Sequence, residues 1–302
     1  MTPPVIFLIF NRPAVTARTF AAIREARPPR LLIVADAPRP DRPGEDRLCA
    51  ETRRIAEAVD WPCEVLHNYA ETNMGCGRRI SSGITWAFEQ VEEAIVLEDD
   101  CLPDPSFFPF CAEMLERYRD DPRVMLISGD NFHGGKRRGP ADYFFSRYHH
   151  IWGWASWRRA WLHYEFSLES WPARRDDGWL ATITKDRLIG DYWRECFDAV
   201  HQGRIDTWDY QWLYSAWVAG GLCIAPNVNL IANIGFGPGA THTTEVNPRL
   251  LPPVGQMTFP LRHPATVAPC PSADRYEERV IFLRWRSRLR RRLRRLLGGL
   301  YR

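Results

Sequence analysis

Five short apolar runs separated by helical patterns fill the first 130 residues and leave few architectures open. The runs are Val5-Ile6-Phe7-Leu8-Ile9-Phe10, Leu31 to Ala35, the weaker Glu64-Val65-Leu66, Ala94-Ile95-Val96-Leu97 and Val124 to Ser128. Between them, helical patterns cover Val15 to about Ala26, Glu45 to Val59, the spaced positions Ile80, Ile84, Phe88 and Val91, and Phe107 to Tyr118. Runs that are apolar throughout predict strands buried on both faces. Their alternation with helices predicts an α/β fold around a mainly parallel sheet with right-handed crossovers. At 302 residues and 45% hydrophobic content, the chain has enough apolar surface for a large core.

Three of the predicted strands run out into polar groups: Asn11-Arg12-Pro13, Asp36, and Glu98-Asp99-Asp100. A parallel sheet gathers the carboxyl ends of its strands along one edge, where open α/β sheets bind ligands. Three adjacent carboxylates repel one another, so such a triplet calls for a cation or a set of donors. Mn²⁺ or Mg²⁺ carrying a phosphorylated ligand answers that need, because hard cations take oxygen ligands. Plain structural alternatives stand beside each residue: a solvated acidic turn, a turn aspartate ahead of Pro38, a surface arginine. The segment Glu71 to Arg79, with Asn73, Gly75, Gly77 and Arg78, precedes the helix through Ile84. Glycines and basic residues before a helix N-terminus suit a phosphate. They form neither a P-loop nor a GxGxxG pattern, so a loop shaped by its glycines remains the alternative.

Beyond residue 130 the alternation stops, and an aromatic-rich section runs from Tyr143 to Trp217. Trp152, Trp154 and Trp157 suit either stacking on sugar rings or a densely packed second lobe. In Asp206-Thr207-Trp208-Asp209-Tyr210-Gln211-Trp212 an acid sits between aromatics, as a desolvated general base would. An N-cap role is the alternative for Asp209. Asn227 to Thr243 reads as a strand and then a loop, where His242 is a candidate metal ligand or phosphate donor, or simply exposed. Pro248 to Pro271 is Pro-rich and expected to be extended.

Charge divides the chain unevenly. The net charge is +3, yet Arg279 to Arg302 holds ten arginines and no acid, so the preceding body is about seven units negative. Phe282, Trp285, Leu289, Leu293, Leu296 and Leu300 recur in steps of three or four among those arginines, which predicts a basic amphipathic helix. Such a helix suits an anionic bilayer surface, where each basic residue contributes about 1 kcal/mol. The alternatives are docking on the acidic body or nucleic-acid binding, and the acidity of the body argues against nucleic acid. The eight cysteines have no CxxC spacing, and no 18-residue apolar span exists, so reduced thiols and a cytoplasmic, at most peripherally membrane-attached protein are expected. Four segments follow: an α/β half over 1–130, a second half of the same domain over 131–247, an extended segment over 248–278, and the basic helix over 279–302.

Together, Asp36, Asn73-Met74-Gly75, Leu97-Glu98-Asp99-Asp100 with Pro105-Ser106-Phe107-Phe108, and Trp208-Asp209 resemble nucleotide-sugar glycosyltransferases of the GT-A fold. The acidic triplet is similar to the N-acetylglucosaminyltransferase I type. The order that adds Trp152-Gly153-Trp154, Gly235-Phe236-Gly237 and Ala240-Thr241-His242-Thr243 is similar to bacterial enzymes of cell-surface polysaccharides. The resemblance spans about residues 4 to 245. It implies a nucleotide-sugar-binding set of Asn11, Arg12, Asp36, Asn73, Arg78, Glu98 and Asp99, and Mn²⁺ or Mg²⁺ on Asp100 with His242. It further implies Asp209 as the base that deprotonates an acceptor hydroxyl in an inverting transfer to a glycan or lipid-linked precursor. The triplet is Glu-Asp-Asp, not the commoner Asp-x-Asp, which leaves metal binding to Asp100 alone in that stretch. Two other readings are a sugar-1-phosphate nucleotidylyltransferase, for which Phe10-Asn11-Arg12-Pro13 is a poor triphosphate loop, and a non-catalytic glycan- or membrane-binding protein.

Overall fold

Every residue of β1 (Val5–Ile9) is buried, and the strand pairs in parallel with β2 (Arg30–Ala35) on one side and β4 (Glu93–Glu98) on the other. The computed structural model describes residues 1–236 and 252–283, and within them the sheet has eight strands. β3 (Glu64–Tyr69) closes the sheet beside β2, and its half-exposed pattern explains its weak apolar signal. A short β5 (Cys101–Pro103) follows β4, and β6 (Val124–Ser128), β7 (Tyr143–Ser146), β8 (Trp154–Trp157), β9 (Leu222–Pro226) and β10 (Ile231–Asn233) come later in the chain. The order across the sheet is β3-β2-β1-β4-β8-β6-β9-β7, and only β8 and β7 run against the other six. The sheet is therefore mainly parallel, as the apolar runs predict. β8, from the second half of the chain, is inserted between β4 and β6, so both halves share one sheet.

Helices cover both faces. The helices α1 (Pro13–Ala26), α2 (Glu45–Ala56), α3 (Cys76–Gln90) and α4 (Phe107–Arg117) belong to the first half. The second half adds the short α5 (Arg158–Trp161), α6 (Trp171–Arg175) and α7 (Leu180–Ile183), then α8 (Arg187–His201) and α9 (Asp209–Val218). Phe20 and Ile23 of α1 and Phe110 and Met114 of α4 pack with Val5, Phe7 and Ile33 on one face. On the other, Ile84 and Phe88 of α3 and Trp212 of α9 pack with Ile6, Leu8 and Val34. This opposite facing of successive residues is the two-residue period of a strand, repeated in β1.

The aromatic-rich section is mostly core. Trp154 and Trp157 are buried, Trp154 among Trp161, Trp208 and Trp212 at ring separations of 5.8–6.1 Å. A third apolar cluster, with Trp193, Phe197, Tyr214 and Trp217, joins α8 and α9 to Ile281 and Phe282. Those last residues correct one expectation. Helix α10 (Pro271–Tyr276) begins ahead of residue 279 and continues as a π-helical turn over Glu277–Phe282, so the extended stretch ends earlier. Its acids face inward: Asp274 accepts from Ser146, Glu278 from Tyr148, and Glu277 pairs with His133 and His150 at 3.0 and 3.1 Å. The eight cysteines are free thiols, and no helix among the described residues is long and apolar enough to cross a membrane. The basic helix expected over 279–302 lies outside the described residues from Arg284 on, as does His242.

Candidate active site

From β1 the chain moves outward to β2 and β3 and then returns to the other side of β1 to form β4. The strand order therefore reverses between β1 and β4, and a parallel sheet opens a crevice at the carboxyl ends of two such strands. A cleft of ≈ 620 Å³ lies there, and Arg12, just past β1, and Glu98-Asp99-Asp100, at the end of β4, line it.

Arg12 is the only basic side chain paired with the triplet among the described residues. Its Nε and Nη2 both donate to Asp99, and its Nη1 lies 3.0 Å from Asp100 Oδ2. The Thr19 hydroxyl donates to the Asp99 carbonyl at 2.8 Å and ties the turn to α1. One guanidinium does not neutralise three carboxylates. Burial, with the charges of Asp100 and Asp99, raises the Glu98 carboxyl well above its ordinary range. Asp99 is pushed up to about 6 by burial, against the pull of Arg12. Immediately after Asp100, β5 pairs with β10, and the Ile234 amide donates to the Asp100 carbonyl at 2.8 Å. That bond holds Gly235 against the Asp100 side chain, where a Cβ would overlap Oδ2.

At the other end, Asp36 is 7% exposed and accepts the backbone amides of Ala37 and Met74 at 2.9 and 3.0 Å. Burial still raises its carboxyl above the ordinary range. Asn73 donates to the Ala37 carbonyl at 2.7 Å, so Asp36 and Asn73 join the loop after β2 to the loop before α3.

The helix N-terminus expected to cradle a phosphate has another occupant. Asp206 accepts from the Cys76 and Gly77 amides at 3.1 and 2.9 Å. Gly75, at φ +78, takes a backbone conformation that disfavours side chains, and a Cβ on Gly77 would lie 2.6 Å from both Asp206 Oδ1 and the Thr207 carbonyl. The glycines thus admit a carboxylate from the second half of the chain. Thr207 in turn donates its hydroxyl to Asp209, the first residue of α9. Trp208, not Asp209, occupies the N-cap position, so the Asp209 carboxylate is not spent on its own helix. Tyr164 fixes the same turn through the Trp208 carbonyl at 3.2 Å.

Arg12, Asp36, Asn73, Glu98, Asp99, Asp100 and Asp209 all line this one cleft. Asn11 and Arg78 do not: the Asn11 amide donates to Glu45 at 2.8 Å, and Arg78 is exposed with its guanidinium 5.4 Å from the Phe166 ring centre. Arg79, not Arg78, is the cleft residue of that pair; it is 6% exposed, donates to Asn68, and leaves its Nε unpartnered. Arg79 was legible in principle, since it lies four residues before Gly83 and eight before Ala87 on the buried side of α3. Asp206, Trp152 and Phe236 also line the cleft, with the Trp152 and Phe236 rings 5.8 Å apart, edge to face.

Among the described residues, no three His, Cys, Asp or Glu side chains are placed to enclose a metal ion. A protein-only cage is therefore absent from that part of the chain. Magnesium-type ions, however, bind through one or two carboxylates, waters and ligand phosphates. Six carboxylates and three arginines line the cleft, and burial raises three of those carboxyls, Asp36, Glu98 and Asp99. That donor set fits a divalent cation held by Asp100 together with ligand oxygens.

No family model matches the chain, and no curated protein matches it in sequence. Among solved structures, it is similar to a cytidylyltransferase from Leptospira borgpetersenii, at TM-score 0.34 and 9% identity over 54% of this chain and 63% of that one. It is similar to a UDP-glucose pyrophosphorylase, at 0.26 and 11% over 48% and 62%, and to mouse xyloside xylosyltransferase 1, at 0.34 and 12% over 71% and 81%. The chain thus spans less than two thirds of the first two proteins. At such scores the functional reading rests on the cleft itself.

Proposed function

We propose that this chain is an inverting glycosyltransferase of the GT-A kind. It moves a sugar from a nucleoside diphosphate donor to a hydroxyl of a cell-surface glycan or its lipid-linked precursor. The observation that carries the reading is one cleft holding two separate sets of acids: the Arg12-bound pair Asp99 and Asp100 at the strand switch, and Asp209 at the start of α9. The division suits a reaction that stabilises a leaving diphosphate on one side and takes a proton on the other.

In this reading Asp36 and Asn73 hold the loops around the nucleotide, and Glu98 and Asp99 face its ribose and sugar. Asp100 would hold a Mn²⁺ or Mg²⁺ ion, which would supply positive charge to offset that developing on the leaving diphosphate. Asp209 accepts the acceptor hydroxyl proton, and the Thr207 hydroxyl keeps its carboxylate turned toward the cleft. Without a cation, the six carboxylates against three arginines repel a diphosphate, so the reading also requires the metal. Ile281 and Phe282 are packed in the core, so in this reading it is the arginines of 284–302 that hold the enzyme on an anionic membrane surface. The test is two incubations with Mn²⁺, one with nucleotide sugars and one with a nucleoside triphosphate and a sugar phosphate. Slow release of a nucleoside diphosphate supports the transferase; pyrophosphate formed from a nucleoside triphosphate and a sugar phosphate supports a nucleotidylyltransferase instead.

A further inference from the structure

Arg12 makes two unequal attachments. Toward Asp99 the guanidinium is bidentate, through Nε and Nη2, and the Asp99 side chain is 4% exposed. Toward Asp100 it makes one contact, Nη1 to Oδ2 at 3.0 Å, on a side chain that is 14% exposed and faces the cleft. A planar bidentate pair is strong and directionally fixed, whereas a single contact near water exchanges at smaller cost. The oxygen that Nη1 holds belongs to the carboxylate that a divalent cation would take.

We propose that the Nη1 arm of Arg12 competes with the divalent cation for Asp100, and that the donor diphosphate relieves the competition by giving Nη1 a new acceptor. The inference rests on the transferase reading for the identity of cation and ligand. Its physical content is that one carboxylate oxygen cannot hold two positive groups without their repelling each other. With a cation on Asp100 Oδ2, Nη1 would lose that partner and be free to donate to a phosphate oxygen of the ligand. Arg12 keeps Asp99 throughout, so its guanidinium pivots and does not leave. Cation alone therefore binds weakly, and cation and diphosphate bind together. This separates the protein from cation sites that bind free metal tightly and protects the acidic triplet from stray ions between turnovers.

The test measures free Mn²⁺ by electron paramagnetic resonance during titration of the full-length protein, without nucleotide. Arg12→Gln removes the competing arm and is expected to bind Mn²⁺ at least tenfold more tightly than wild type. Adding Asp100→Asn to that variant should abolish the gain, which shows that Asp100 holds the ion. Arg12→Lys keeps a positive charge but not the fork, and is expected to bind several-fold more tightly, which covers a failure of Arg12→Gln to fold. Equal or weaker Mn²⁺ binding by both Arg12 variants overturns the inference, as does tight Mn²⁺ binding by wild type alone. The release of nucleoside diphosphate judges the transferase reading separately, so the two can fail independently.

Discussion

Gly77 gives its backbone N–H to Asp206, 129 residues further along the chain, and that bond fixes the second half of the protein onto the N-terminus of α3. The space around Gly77 exists for this contact, since a Cβ there would lie 2.6 Å from the carboxylate and from the Thr207 carbonyl. Gly77→Ala is therefore expected to destabilise the protein by about 1–3 kcal/mol through overpacking, despite the better helix propensity of alanine. Gly190, inside α8, has nothing within 4 Å of its missing Cβ, so Gly190→Ala should stabilise by up to about 1 kcal/mol. Urea unfolding of both variants checks the pair, and the opposite signs make it a stringent comparison.

Trp154 and Trp152 are two residues apart and differ in what surrounds them. Trp154 is 1% exposed and packed among three other tryptophans, so Trp154→Ala should cost about 3–5 kcal/mol. Trp152 reaches the cleft beside Phe236, and Trp152→Ala should cost less than half as much while weakening sugar turnover. Thermal unfolding and nucleoside diphosphate release, measured on both, separate the two roles.

Two neighbouring acids of the C-terminal helical segment should give stability opposite dependences on pH. Burial raises Asp274 to about 6 from 3.8, against the Ser146 hydroxyl and Arg147, so the folded state holds its proton more tightly than the unfolded chain. Its contribution is complete below about pH 3.8 and is lost as pH rises through 6, by up to about 3 kcal/mol. Glu277 behaves inversely: burial alone would raise it, but His150 and His133 win and hold it at about 2, so its contribution is present above 4.5 and lost as pH falls toward 2. Denaturant unfolding of wild type and Asp274→Asn at pH 4.5 and 7 is the check. The variant should lose less stability than wild type on going to pH 7.

Asp209→Asn should keep nucleotide-sugar binding while turnover falls by about 10²–10⁴, the usual worth of a positioned base. The replacement retains the size of the side chain and an oxygen able to accept from Thr207. Calorimetry of donor binding beside product release checks both halves; undiminished turnover removes Asp209 from the proton-accepting role.

What could be read from the chain alone follows its physics. β1 throughout, β2 after Arg30 and β4 between Glu93 and Glu98 are apolar because the sheet buries them on both faces, so they are plain in the sequence, whereas β3 lies at the edge and its Glu64, His67 and Asn68 blur the pattern. The insertion of β8 between β4 and β6 has no local signal, because a four-residue strand among tryptophans looks like any dense core. In the site, Asp36 and Glu98 to Asp100 stood out as polar ends of buried strands. Asn11 and Arg78 are only sequence neighbours of the cleft residues Arg12 and Arg79; the Asn11 side chain turns to Glu45 and Arg78 to Phe166. The Asp206 contact is long-range, and Gly75 and Gly77 announced a close approach without saying by which group.

The most direct test of the account is the stability of wild type and Asp100→Ala in nucleotide sugars, with and without Mn²⁺. A ligand present at a hundred times its dissociation constant stabilises the native state by about 2.7 kcal/mol, well within reach of a thermal-shift measurement. The account predicts that at least one nucleotide sugar raises the wild-type melting temperature, that Mn²⁺ enlarges the rise, and that Asp100→Ala removes the enlargement. A chain that no nucleotide sugar stabilises, with or without the metal, contradicts it.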